Sequence, residues 1–126
     1  MKALSTTQAP AAIGPYSQAI EANGFVYVSG QLPLDPATGQ FAEGGVKELT
    51  RQAFHNAEAI LKEAGLTLKN VVKTSVFLAD MNDFAEMNEA YAEFFEPPYP
   101  ARSAVAVKTL PKNGRLEIEV IAAHPE

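Results

Sequence analysis

The chain has 126 residues, a formal net charge of −5 at pH 7 and no cysteine. The lack of cysteine excludes disulfides, zinc–thiolate sites, iron–sulfur clusters and cysteine nucleophiles. The acidic balance and the scattering of the ten lysines and arginines count against nucleic-acid binding. The length predicts a single domain over residues 1–126. Because no apolar segment has the length of a signal peptide or a membrane helix, we expect a cytoplasmic protein.

Strands and helices are predicted from the spacing of apolar residues and from turn signals. In chain order, the predicted elements are a strand at 18–22, a strand at 25–29, a loop at 30–41, a helix at 46–64, a strand at 71–78, a helix starting after Asn82, a strand at 102–107 and a strand at 116–123. Asn23-Gly24 tolerates the positive φ of a tight hairpin turn. Gly65 is placed to end the first helix, and Pro97-Pro98 to stop the second.

The order ββαβαββ, with two amphipathic helices of similar length, predicts an α+β fold. We expect a mixed sheet with both helices packed on one face. The other face would carry Val26, Val28, Ala104 and Ala106. A monomer would leave these apolar and small side chains exposed to water, so the pattern predicts self-association.

Three charged residues are candidates for chemistry near the C-terminus. Arg102, at the start of a predicted strand, has a planar guanidinium that can hold a small carboxylate by two parallel hydrogen bonds. The alternative is an ordinary surface arginine. Glu117 and Glu119 alternate with apolar residues, so both lie on one face of the last strand. A buried carboxyl there would serve as a general base or acid, the alternative being a solvated face, and the pattern does not say which glutamate is the inward one.

Other candidates come from a turn, a strand end and a helix. Tyr16 follows a Gly-Pro turn and would either contact a polar ligand or act as a packing anchor. Gly30 ends a strand and would let the backbone approach a ligand closely, unless it is simply a turn residue. Asn88 lies on the aromatic-rich second helix and is either structural or turned toward a cleft. The histidines, His55 and His124, lack the spacing of metal ligands, so no metal site is predicted.

Several motifs follow one another in a specific order. They are Gly14-Pro15-Tyr16-Ser17-Gln18-Ala19, then Ser29-Gly30-Gln31, then Pro100-Ala101-Arg102-Ser103-Ala104-Val105, Leu110-Pro111 and Leu116-Glu117-Ile118-Glu119. Together they resemble the RidA family, formerly called YjgF, over residues 9–123. The resemblance implies a chorismate-mutase-like fold that forms a homotrimer, with a central barrel and ligand clefts between subunits. It also implies cofactor-independent hydrolysis of 2-iminobutanoate and 2-iminopropanoate, which pyridoxal-phosphate dehydratases release from threonine and serine.

The same resemblance implies roles for particular residues. Arg102 would bind the substrate carboxylate, and Glu117 would position the attacking water. The resemblance implies that Tyr16 orients substrate or water. It also implies that the backbone of Gly30 and of Ala104 contacts the ligand and that Asn88 lies on the cleft wall. Two features depart from many relatives: Ala104 replaces a cysteine, so no thiol takes part, and the connection 96–100 looks shorter.

Two other classes of function compete with the deaminase. A regulatory module that binds 2-keto acids without turnover would need Arg102 but not Glu117. An RNA-acting protein or a chaperone is less favoured, because the chain is acidic and trimer formation would bury its exposed apolar surface.

Overall fold

A computed structural model describes all residues from 1 to 126 and shows an α+β fold, with one mixed six-stranded sheet and two α-helices. The strands are β1 (Lys2–Leu4), β2 (Ala19–Ala22), β3 (Phe25–Gln31), β4 (Val71–Leu78), β5 (Ala101–Ala106) and β6 (Leu116–Ala123), and the helices are α1 (Val46–Lys62) and α2 (Phe84–Tyr91). The strand order is β1-β2-β3-β6-β4-β5, in which only the β4–β5 pair is parallel. Neither helix has the length and apolar character that crossing a membrane requires.

The predicted hairpin is confirmed, but the sheet has one strand more than predicted. Asn23 and Gly24 have φ values of 52° and 84° and connect β2 to β3. Lys2–Leu4 pairs with β2 at the edge of the sheet, so the element order is βββαβαββ rather than ββαβαββ. Three residues are too few to show an alternating pattern. The strand β1 therefore forms because it pairs with β2, and its own sequence does not predict it.

The two helices differ in length, contrary to the prediction. α1 has 17 residues and α2 has eight. Asn82 lies in a short 3₁₀ turn that precedes α2 instead of capping it. Phe94 and Phe95 follow the helix, and their ring centroids lie 4.8 and 5.4 Å from that of Phe54. Successive residues of a helix point about 100° apart, so ending the helix early allows both rings to pack on Phe54.

The hydrophobic core lies between the helices and one face of the sheet. Its largest fully buried side chains are Phe54, Ile60, Leu61, Leu78, Met87, Leu116 and Ile118. Val26 and Val28 also belong to this core, so their predicted place on the uncovered face is wrong. That face carries Phe25 and Tyr27 instead, which are 39% and 47% exposed. Both alternating sets of β3 are apolar, and the compact aliphatic residues are the ones that pack against the helices.

The predicted place of Ala104 and Ala106 on the uncovered face is also wrong. Their register partners on β4 are Val76 and Leu78, which are fully buried on the helix side. Ala104 is half-buried and packs against the core. Val105, between them, is the large apolar residue of β5 that faces away from the helices, and it is 48% exposed.

Candidate functional site

The side chain of Arg102 is held over helix α2. Arg102 lies on the edge strand β5, with Thr74 as its partner on β4. Its Nη1 donates a hydrogen bond of 2.6 Å to Oδ1 of Asn88. Its Cζ lies 4.7 Å from the ring centroid of Tyr91 and 5.4 Å from that of Phe84. A guanidinium has five N–H donors, and this is its one hydrogen bond within the chain, so the remaining donors are free to bind a carboxylate.

Helix α2 presents these partners because they share one helical face. Phe84, Asn88 and Tyr91 are spaced i, i+4 and i+7. The hydroxyl of Tyr91 is hydrogen-bonded to Oγ1 of Thr74 at 2.8 Å, and both groups are buried. Asn88 was a sequence candidate, whereas Phe84, Tyr91 and Thr74 were not singled out. The helical spacing could have identified the two rings, but a threonine within a β-branched strand gives no such signal.

Glu117 lies on the opposite face of the sheet, on strand β6. Its neighbours Leu116 and Ile118 are fully buried, Glu117 is half-buried and Glu119 is exposed. Both glutamates lie on this face, and Glu117 is the more buried of the two, a difference that the sequence left open. Burial raises the pKa of the Glu117 carboxyl above its ordinary value of 4.5, and the nearby charge of Glu119 raises it further. A carboxyl with a raised pKa is suited to exchanging protons near neutral pH.

Gly30 is packed directly against Glu117. A Cβ atom built on Gly30 would lie 2.7 Å from Cδ and 2.9 Å from Oε1 of Glu117. The pairing of β3 with β6 is irregular between Val28 and Gln31, so Gly30 lies at a bulge. The missing side chain of Gly30 therefore leaves room for this carboxylate, which any larger residue would displace.

The segment that carries Tyr16 is joined to the same end of β3. Oγ of Ser29 donates a hydrogen bond of 2.6 Å to the carbonyl of Ser17, one residue from Tyr16. Tyr16 itself follows Gly14, which has a φ of 127°, and is 55% exposed. This hydrogen bond joins the neighbour of Tyr16 to the residue that precedes Gly30.

Gln18 is a buried residue of this segment that the sequence did not reveal. Its Oε1 accepts a hydrogen bond of 2.7 Å from the backbone N–H of Thr6. Its Nε2 donates to the carbonyls of Thr6 at 3.1 Å and Pro10 at 2.7 Å. These bonds fasten the residues before Tyr16 to the start of β2. A glutamine gives no sign of such burial in a sequence.

The arginine and the glutamate are not brought together within one chain. Arg102 pairs with Thr74, which faces the helices, whereas Glu117 pairs with Phe77 on the uncovered side. These positions are three residues apart along β4, or about 10 Å. Strands β5 and β6 also flank β4 on opposite sides, which adds about 10 Å across the sheet. Ala104 shares the face of Arg102, so the candidate residues form two separate groups.

The two histidines lie apart from both groups. Nε2 of His124 is 2.6 Å from Oε2 of Glu21, and the ring of His55 packs edge-on against Phe94. No three histidine, aspartate or glutamate side chains are grouped as a metal site requires.

A mixed sheet backed by two helices carries an exposed arginine on one face and a half-buried glutamate of raised pKa on the other, and this arrangement defines a small α+β protein with the groups that a reaction of a carboxylic acid needs. The model of the family described as Endoribonuclease L-PSP matches residues 6–124, and the chain belongs to this family, also known as the RidA family. The resemblance seen in the motifs is thereby confirmed.

Similar proteins include a curated enzyme and two solved structures. The 2-iminobutanoate/2-iminopropanoate deaminase of Mus musculus is 54% identical over 121 residues, which cover 96% of this chain and 90% of that one. The crystal structure of RidA from a Psychrobacter species is 46% identical, with a TM-score of 0.92 and coverage of 98% and 99%. That of E. coli TdcF with bound serine is 42% identical, with a TM-score of 0.93 and coverage of 99% and 100%.

Proposed function

We propose that the protein hydrolyses 2-imino acids, with 2-iminobutanoate and 2-iminopropanoate as substrates, to 2-keto acids and ammonia. The observation that carries this proposal is the half-buried carboxyl of Glu117, which has a raised pKa and lies against Gly30. Arg102 supplies the complementary group for the carboxylate of the substrate. Relatives that match nearly the whole chain are named as deaminases of these substrates, which supports the choice of reaction.

The reaction needs orientation and one exchangeable proton. A protonated imine is electrophilic at C2, so the protein has to hold it beside a water molecule. Arg102 binds the carboxylate through two N–H groups. Glu117 takes a proton from the water while the water oxygen bonds to C2. Glu117 then gives this proton to the nitrogen. The C–N bond breaks and ammonia leaves, while Glu117, ionised again, takes the proton of the new hydroxyl as it becomes the keto group and then releases this proton to solvent.

We propose that the complete site forms between copies of the chain in a homotrimer with a central barrel. Within one chain Arg102 and Glu117 lie on opposite faces of the sheet. A neighbouring copy would supply Glu117, with Gly30 and Tyr16 beside it, to the Arg102 of the first. The exposed apolar side chains of the uncovered sheet face support this arrangement, because packing that face inward removes them from water.

Light scattering is the measurement that checks the assembly. We expect a particle with the mass of three 13.5 kDa chains at micromolar concentration. A mass equal to one chain under the same conditions would contradict the shared site.

The activity itself is tested by supplying the unstable substrate as it forms. A pyridoxal-phosphate threonine dehydratase would generate 2-iminobutanoate, and its disappearance would be followed with and without this protein. We expect the protein to accelerate the loss well above hydrolysis by solvent. If a fully assembled sample gives no acceleration, the assignment of 2-iminobutanoate is wrong, and a module that binds 2-keto acids becomes the leading function.

The alternatives explain fewer of the observations. A binding module needs Arg102, but gains nothing from a carboxyl half-buried against Gly30, because burial of that group disfavours its charge. RNA cleavage is raised by the description of the family model. The net charge of −5 opposes RNA binding, and His124 is already engaged by Glu21. Hydrolysis of an imino acid uses both groups of residues.

The raised pKa of Glu117 predicts the pH dependence of the reaction. Glu117 accepts a proton from water only when ionised, so kcat should fall as pH decreases through its pKa, which lies above 4.5. Glu119→Gln removes the neighbouring charge that raises the pKa, so its acid limb should move to lower pH. The pH–rate profiles of wild type and Glu119→Gln check this. Superimposable profiles would mean that Glu119 does not influence the titrating group.

Gly30→Ala is expected to lower hydrolysis by about tenfold or more, because a misplaced base loses much of its contribution to the rate. The new methyl would lie within 3 Å of the Glu117 carboxyl and push it aside. Gly45→Ala is a matched control, since a Cβ built on Gly45 would have no neighbouring atom within 4 Å. Its φ of −92° is also one that alanine adopts without strain. Steady-state rates of the two variants would be compared, and equal activity would show that the position of Glu117 is not critical.

A further inference from the structure

We propose that Thr74 and Tyr91 are positioning residues for Arg102, and that their shared hydrogen bond fixes the plane in which the guanidinium meets the substrate carboxylate. This role rests on the proposed function. It concerns two residues beneath the site rather than the groups that touch the substrate.

Tyr91 is a platform held from several sides. Its ring lies 4.7 Å from Cζ of Arg102, and its centroid is 5.4 Å from that of Phe54 and 4.9 Å from that of Phe95. Its hydroxyl is hydrogen-bonded to Thr74 at 2.8 Å. The ring packing limits its translation, and the hydrogen bond fixes the direction in which its polar end points.

Packing alone does not account for the hydroxyl pair. Thr74 is fully buried and Tyr91 is 7% exposed. Valine and phenylalanine would fill nearly the same volumes, and replacing both partners of a buried hydrogen bond by apolar groups of the same shape can be nearly neutral. The hydrogen bond between the two hydroxyls therefore orients the Tyr91 ring rather than filling space in the core. What this hydrogen bond determines is the tilt of the Tyr91 ring beneath Arg102.

The consequence for Arg102 is a defined plane. The guanidinium is exposed and has a long flexible stem, so it would otherwise occupy many orientations. Asn88 fixes one N–H, and the Tyr91 ring fixes the plane of the group. With both constraints, the free N–H groups point in one direction, which two-point recognition of a carboxylate requires.

The experiment compares Tyr91→Phe, Thr74→Val and the double variant, because each of the three removes the same hydrogen bond. We expect each to raise KM for 2-iminobutanoate by about three- to tenfold, which corresponds to the loss of one well-defined side-chain geometry. We expect kcat to stay within about twofold, because Glu117 is unaffected. The double variant should regain the stability that the single variants lose, since it leaves no buried hydroxyl without a partner, yet its KM should stay high.

Thr50→Val is the matched control. Thr50 is fully buried, and its Oγ1 donates 2.7 Å to the carbonyl of Val46 on helix α1. Its loss should lower thermal stability without changing KM. If Thr50→Val raises KM equally, or if the double variant restores KM together with stability, the pair is merely structural and the proposal is overturned.

Binding of 2-oxobutanoate, followed by calorimetry, separates this proposal from the proposed function. If the wild type binds 2-oxobutanoate but does not hydrolyse 2-iminobutanoate, the proposed function is wrong, but the positioning role of Thr74 and Tyr91 can still be tested by binding. The affinity for 2-oxobutanoate should then weaken by about the same three- to tenfold in all three variants. An unchanged affinity in all three variants would overturn the positioning role. The Nε–H resonance of Arg102 gives a direct check, since the ring-current shift from Tyr91 should change in Tyr91→Phe and Thr74→Val but not in Thr50→Val.

Discussion

Replacing Glu117 by glutamine is expected to lower kcat for 2-iminobutanoate hydrolysis by about 10²- to 10⁴-fold, the range that a positioned general base contributes. Glutamine has nearly the same shape, so it can occupy the space against Gly30. It cannot accept a proton from water. KM should change little, because Arg102 is the residue proposed to bind the carboxylate of the substrate.

Glu119→Gln is the matched control for this loss. It removes a carboxylate two residues away on the same strand and the same face, but one that is exposed. Rates would be measured with the coupled dehydratase on samples of equal oligomeric mass. Glu119→Gln should keep most of the activity at neutral pH. A Glu117→Gln protein that retains more than about a tenth of the wild-type kcat would show that another group moves the proton.

The stability of Glu117→Gln gives an independent check that the variant folds. Burial raises the pKa of Glu117 in the folded state, so its ionisation disfavours folding as pH rises through the unfolded and then the folded pKa. Glutamine carries no charge at any pH. The variant should therefore be at least as stable as the wild type at pH 7, and the difference should vanish in acid, where Glu117 is protonated in both states. A lower melting temperature at pH 7 would contradict the burial of this charge.

Much of the fold could be predicted from local sequence, and the failures have common causes. The strands at 71–78 and 116–123 are predicted to the residue, because β-branched runs and clean alternation leave one interpretation. The face of β3 is predicted wrongly because Phe25, Val26, Tyr27 and Val28 are all apolar, so alternation has no polar side to identify. The choice between the two faces depends on packing against helices far away in the chain.

The site shows the same division between local and distant information. Motifs identify Arg102 and Glu117, and helical spacing links Asn88 to its aromatic neighbours. Burial decides between Glu117 and Glu119, and it depends on Gly30, which is 87 positions away along the chain. Neither motifs nor spacing reveal that Arg102 and Glu117 lie on opposite faces of the sheet. That follows from the parallel pairing of β5 with β4 and the antiparallel pairing of β6.

Arg102→Ala is expected to lower kcat/KM by about 10²-fold or more, the loss of two charge-assisted hydrogen bonds to the substrate carboxylate. Arg102→Lys should recover only part of this, because an ammonium keeps the charge but lacks the planar fork that Asn88 and Tyr91 orient. Steady-state kinetics on both variants check the order of the losses. Equal activity of lysine and arginine would mean that charge alone anchors the substrate.

Mixing two inactive variants tests whether the two residues come from different chains. Co-expressed Arg102→Ala and Glu117→Gln chains, carrying different affinity tags, would be purified on both tags to isolate mixed trimers. Whichever variant is in the majority, cyclic symmetry leaves one cleft with both residues intact, so activity should return to about a third of the wild-type value. Each variant purified alone is the control and should stay inactive. No recovery in mixed trimers would place Arg102 and Glu117 of one site in the same chain, against the arrangement of the sheet, since a site within one chain is broken in every subunit.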